Sequence, residues 1–73
     1  MTQEQKVLIH LKELGTITSW DAILEYGITR LSAKIYNLRK LGYNISIDYK
    51  TTLNRFGEKV TFGEYKLEDS YDK

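Results

Sequence analysis

Apolar positions recur at helical spacing through the first 42 residues, and the period then drops to two. Val7, Leu8, Leu11 and Leu14 form one stripe, preceded by Thr2 and Gln5 at capping-box spacing and followed by Gly15. The pattern predicts a scaffold helix there. Ile17 centres a short link over residues 16–18 that can form a brief strand. Thr18 or Ser19 then caps a second helix, with Asp21 near its first amides. Trp20, Ala22, Ile23, Leu24 and Tyr26 supply its apolar content, and Gly27 stops it. Trp20 is read as a core or partly buried packing residue, and Tyr26 and Ile28 as packing beside it.

The stretch 29–43 reads as a third amphipathic helix, over 29–41. Thr29 is its predicted N-cap, and Leu31, Ile35 and Leu38 lie on one face with Leu41 at its border. Gly42 sits where a left-handed C-terminal residue is wanted. The opposite face carries Thr29, Ala33, Tyr36 and Lys40, and its flanks carry Arg30, Ser32, Asn37 and Arg39. Such a polar face suits a major groove, or is simply a solvated helix side. The second and third helices, joined by a turn over 26–29, form a helix-turn-helix candidate. Ala33 falls where a larger apolar residue is usual, so the turn is expected to be slightly long.

Tyr43, Ile45, Ile47 and Tyr49 alternate with Asn44, Ser46, Asp48 and Lys50, the pattern of a half-buried strand. Residues 51–58 are turn-rich. Val60, Phe62, Tyr65 and Leu67 suggest a returning strand in which Gly63 marks a bulge. The predicted fold is α+β: a three-helix winged helix-turn-helix with a C-terminal two-stranded β-hairpin wing. Residues 1–67 form the domain, and 68–73 an acidic tail that frays. The predicted core is Val7, Leu8, Leu11, Leu14, Ile17, Ile23, Leu31, Ile35, Leu38, Ile45, Ile47, Val60 and Phe62. Only the wing tip, 54–59, is expected to stand free.

Length and composition narrow the chemistry. A chain of 73 residues has room for one small core and little for a deep catalytic pocket. Without cysteine there is no disulfide or thiolate metal site, and one histidine, His10, cannot build a zinc site. His10 is expected to be a solvated helix residue. No nucleophile–base pair or phosphate-cradling glycine loop is visible, so no enzyme, cofactor or metal is expected. No apolar run approaches the roughly 20 residues that span a bilayer. A soluble cytoplasmic protein with no membrane partner is the expectation.

The net charge is only +1, but it is unevenly spread. Residues 1–28 hold Lys6 and Lys12 against Glu4, Glu13, Asp21 and Glu25, a net of −2. Residues 29–59 hold Arg30, Lys34, Arg39, Lys40, Lys50, Arg55 and Lys59 against Asp48 and Glu58, a net of +5. Residues 60–73 return to −2, with Lys66 and Lys73 against Glu64, Glu68, Asp69 and Asp72. Positive charge thus collects on the third helix and the hairpin, as in proteins that neutralise phosphates with one face.

The runs ITSWDAILEYGITRLSAKIYNLRKLGYNI and NRFGEKV resemble the small helix-turn-helix proteins widespread in bacteriophages and prophages, especially of Gram-positive hosts. The family pattern is close to I-T-S-x-x-A-I-x-x-Y-G-x-T-R-L-S-A-x-I-x-x-L-R-x-x-G-Y-x-I, then N-R-x-G-E-K-V. The likeness runs from Thr2 to Leu67. It implies a winged helix and DNA binding, without a defined biological role. Carried over by position, the motif residues are Thr29, Arg30, Ser32, Arg39, Asn54, Arg55, Gly57, Glu58 and Lys59. Lys34 stands where Arg is common and Asn37 where Asp is common, so a shared target sequence is not implied.

The leading expectation is a binder of double-stranded DNA, serving transcription regulation or phage excision. Arg30, Ser32, Ala33, Tyr36, Asn37 and Lys40, with Thr29, would enter or border the major groove. Asn37 would face an adenine edge, and Arg30 a guanine edge or phosphate. Lys50, Arg55 and Lys59 would hold phosphates or reach the minor groove. Arg55 can equally brace the wing turn or pair with Glu58, and Arg39 can pair with a scaffold acid. The alternative is a protein-interaction winged helix that meets a polymerase, recombinase or defence protein. A protein partner or a homodimer stays open, although no heptad seam is present.

Overall fold

The computed structural model describes residues 1–68. Helix α1 spans Gln3–Leu14, strand β1 Thr16–Thr18, helix α2 Ser19–Tyr26, helix α3 Leu31–Lys40, strand β2 Ile45–Leu53 and strand β3 Lys59–Leu67. The helix starts follow from side-chain chemistry. Thr2 and Gln5 form a reciprocal capping box at α1, and Thr18 and Asp21 form another at α2. Each satisfies an amide that has no partner inside the helix. Gly27 ends α2 in the left-handed region that L side chains avoid (φ 69°). At the end of α3 the Tyr43 amide reaches back to the Leu38 carbonyl and the Gly42 amide to that of Arg39, closing the helix in a Schellman pattern.

Thr29 is not the cap of α3. Arg30 occupies that position and no side chain caps the first turn. Ile28 is fully buried in the connection, and the cap falls one residue later than expected. The helix-turn-helix connection therefore runs over 27–30.

The brief strand expected over 16–18 forms, and it joins the hairpin in a three-stranded sheet of order β1-β3-β2, all antiparallel. β3 is central. Ile17 of β1 lies opposite Tyr65, and Ile47 of β2 lies opposite the same residue. The β2–β3 ladder is continuous from Ile45↔Leu67 to Leu53↔Lys59, so Gly63 marks no bulge. Its role is steric: a Cβ there would come within 2.7 Å of Ile47 Cδ1. Gly63→Ala should cost about 1 kcal/mol through overpacking, and should be neutral or stabilising in an Ile47→Val background, which lacks that methyl. Equal costs in the two backgrounds, read from denaturant unfolding, would contradict the steric account.

Val7, Leu11, Ile17, Ala22, Ile28, Leu31, Ile35, Leu38 and Ile45 make the core, with Leu8, Tyr26, Tyr43, Tyr65 and Leu67 packed against it. Six expected core or packing residues lie outside it, of which Ile47 and Phe62 are only half-buried along the hairpin. Leu14 is at the last residue of α1, where the chain turns away at Gly15, and is exposed. Ile23 and Trp20 are exposed because α2 buries the line through Ala22 and Tyr26 instead. Val60, opposite Thr52, is carried out along the wing. The wing is free over more than its tip, since every residue of 48–53 is exposed. The radius of gyration, 13.1 Å, exceeds the about 11 Å of a compact chain this long.

His10 is buried (6% exposed) rather than solvated. It stands three residues after Val7 on the inward face, and its Nδ1 shares a 2.7 Å hydrogen bond with the Tyr26 hydroxyl. The rings meet edge to face. Burial raises the Tyr26 pKa, and the charges of Glu25, Glu13 and Asp21 add to it, so the hydroxyl keeps its proton. Tyr26→Phe should cost about 1–3 kcal/mol by leaving a buried ring nitrogen unpaired. A melt indistinguishable from wild type would show that water replaces the hydroxyl.

Glu68, the first residue of the expected tail, is held to β2: its amide donates to the Asn44 carbonyl and its carboxylate accepts from Ser46. Residues 69–73 of that tail lie outside the described residues.

Candidate nucleic-acid interface

Leu31, Ile35 and Leu38 anchor α3 in the core, which turns the opposite side of the helix outward. Thr29, Arg30, Ser32, Ala33, Tyr36, Asn37 and Lys40 are all exposed. Lys40 lies over the Tyr36 ring, 5.4 Å from its centroid, so the two share one surface at the C-terminal half of the helix. At the N-terminal half the first turn has no acidic residue and no side-chain cap, and Arg30 stands at its head. Uncapped amides and a guanidinium both favour anions.

Asn37 is not free. Its Nδ2 donates to Glu4 Oε2 of α1 over 2.8 Å, and Lys34 Nζ lies 3.7 Å from the same oxygen. To read an adenine through both amide atoms, Asn37 must leave Glu4. The hydrogen bond from Asn37, first, then one from backbone and the charge of Lys34, hold the Glu4 pKa below its ordinary 4.5. Burial opposes them, by less than either hydrogen bond but by more than the charge of Lys34 contributes. A carboxylate with a lowered folded pKa adds stability above its unfolded value, lost as pH falls through the folded one. Asn37→Ala should therefore move the Glu4 titration upward toward 4.5. An unchanged carboxyl titration by NMR would show that the contact does not persist in solution.

Arg39 does not pair with an acid among the described residues. Its Nε and Nη2 both donate to the Ile45 carbonyl, at 3.0 and 2.7 Å, and so tie α3 to the base of the wing. That fixes the wing relative to the helix. Arg39, itself exposed, thus braces the junction of α3 and the wing.

The wing tip is built by Asn54. Its amide donates to the Glu58 carbonyl, its Oδ1 accepts from the amides of Phe56 and Glu58, and its Nδ2 donates to the Glu58 carboxylate. Gly57 supplies the positive φ that the turn needs (77°). Arg55 neither braces this turn nor pairs with Glu58. It lies over the exposed Phe56 ring, 5.6 Å from the centroid. Lys59 is exposed at the start of β3. Lys50 is 3.7 Å from Glu64, which offsets part of its charge. Arg30, Lys40, Arg55 and Lys59 have no carboxylate partner among the described residues. Neither the exposed Phe56 beneath Arg55 nor the bracing role of Arg39 is expected from the sequence.

No helix among the described residues is long and apolar enough to cross a membrane. Comparison with curated proteins and with solved structures gives no match. A family model described as a winged helix-turn-helix domain matches residues 2–70. Over nearly its whole length, then, the chain belongs to the winged helix-turn-helix domain family.

Proposed function

We propose that this protein binds double-stranded DNA through the outward face of α3, with the wing against phosphates or the minor groove. The observation that carries this is the first turn of α3, which holds no acidic residue, has no side-chain cap and is headed by the exposed Arg30, on a helix whose other side is the core. Arg30 and Lys40 bracket the helix, and Ser32, Ala33 and Tyr36 lie between them. Asn37 joins them on release from Glu4. Arg55 and Lys59 supply wing cations, and Lys50 contributes less because Glu64 sits beside it. The role that fits best is a phage-type transcriptional regulator or an architectural factor in excision, consistent with the likeness to phage and prophage proteins. A single small domain covers about 1,000 Å² of DNA at most, so sharp specificity calls for a second copy or a partner.

Selection from a random duplex pool across a salt series tests this. An enriched motif, bound with affinity that falls steeply as salt rises, is the expected result. Absence of binding at low salt would contradict it and favour the protein-interaction reading.

A further inference from the structure

Trp20, Ile23 and Leu24 stand at i, i+3 and i+4 on α2, and all three are exposed. Trp20 is 66% exposed and Leu24 76%, while Ala22, on the other side of the helix, is fully buried. The stripe is therefore an outward apolar face, not the edge of the core. An exposed contiguous apolar patch rimmed by polar groups marks an interaction site more often than a lone exposed leucine does.

The rim has one sign. From Glu13 to Thr29 the chain carries Glu13, Asp21 and Glu25 and no Lys or Arg. Asp21 and Glu25 stand on α2 itself, which carries no Lys or Arg. That charge excludes a phosphate backbone as occupant. It also argues against a second copy, because a two-fold pairing would set like charges face to face.

We infer that the Trp20–Ile23–Leu24 face of α2 docks a basic amphipathic helix of a protein partner. Apolar residues of that helix at i, i+3 or i+4 spacing lie along the stripe, and its Lys and Arg meet Asp21 and Glu25 at the rim. The site is separate from α3 and the wing, so the protein can hold such a partner independently of DNA.

Trp20 is the sole tryptophan of the chain and reports directly on its own burial. The probe is a synthetic amphipathic helical peptide of leucine and lysine, titrated into the full chain without DNA. A saturable blue shift of Trp20 emission is expected, and none with a peptide carrying glutamate in place of lysine. Leu24→Glu should weaken binding at least tenfold, and Glu25→Lys at least threefold, with both variants melting like wild type. Leu24→Glu is decisive because it removes the apolar contact while adding negative charge. Equal or tighter binding by Leu24→Glu would reduce the association to charge alone and overturn the inference. So would a missing shift, or equal binding of the glutamate peptide. Self-association by sedimentation that Leu24→Glu abolishes would assign the face to a second copy instead. A blue shift on adding duplex DNA alone would assign it to DNA.

Discussion

Leu38→Ala will destabilise the fold by about 2–5 kcal/mol. Leu38 is 2% exposed and lies with Leu31 and Ile35 on the one side of α3 that faces the core. Removing its terminal carbons loses their transfer free energy and leaves a cavity that neighbours on several elements cannot fill together. The effect is large against the total. A domain this size is stable by only about 5–10 kcal/mol, and each kcal/mol moves its melting temperature by roughly 4–8 °C. Leu41→Ala is the control. Leu41 is one helical turn along in sequence but 73% exposed, and its truncation should change stability by no more than about 0.5 kcal/mol. Equal losses at the two positions, measured by denaturant unfolding, would overturn the face assignment of α3.

The double substitution Arg30→Ala with Lys40→Ala should weaken DNA binding at least tenfold while the melting temperature stays at the wild-type value. Both side chains are exposed and without carboxylate partners among the described residues, so their loss removes charge without leaving a carboxylate unpaired, and costs only the exposed contact of Lys40 with the Tyr36 ring. If each meets a phosphate, the slope of log affinity against log salt should fall by about 2 in magnitude. Arg30 can also read a guanine edge, in which case preference relaxes at one base position. Lys50→Ala should matter less, since Glu64 already offsets that charge. A double variant with wild-type affinity would remove α3 from the interface.

Local rules explain what was legible in the residues alone. The capping box at Thr2, a cap at the start of α2, the stop at Gly27, the change of period after Gly42 and the wing follow from short-range spacing, whereas the reciprocal Thr18–Asp21 box shows only in the structure. What escaped depends on contacts between distant parts of the chain. The pairing of β1 with β3 joins residues about 50 apart, and a three-residue strand carries no signal for its partner. His10 has the spacing of a core residue, yet its burial depends on a hydroxyl 16 residues on. Asn37 was read as free because Glu4, 33 residues away, cannot be seen from its own helix. Trp20 misled in the other direction: size and apolarity suggest burial, whereas a helix whose buried line runs through Ala22 leaves no room for it. At the candidate interface the outward residues of α3 were legible from periodicity. The division of cations into free and engaged ones was not, because it rests on Glu4, Glu64 and the Ile45 carbonyl.

The most direct test of the central proposal is an NMR titration of the isotope-labelled protein with duplex DNA at low salt. The account predicts perturbations at residues 29–40 and at the wing tip over 54–59, with Trp20, Ile23 and Leu24 unmoved. Loss of the Asn37 side-chain contact to Glu4 should accompany them. Perturbations centred on α2, or none at any DNA concentration, would contradict it.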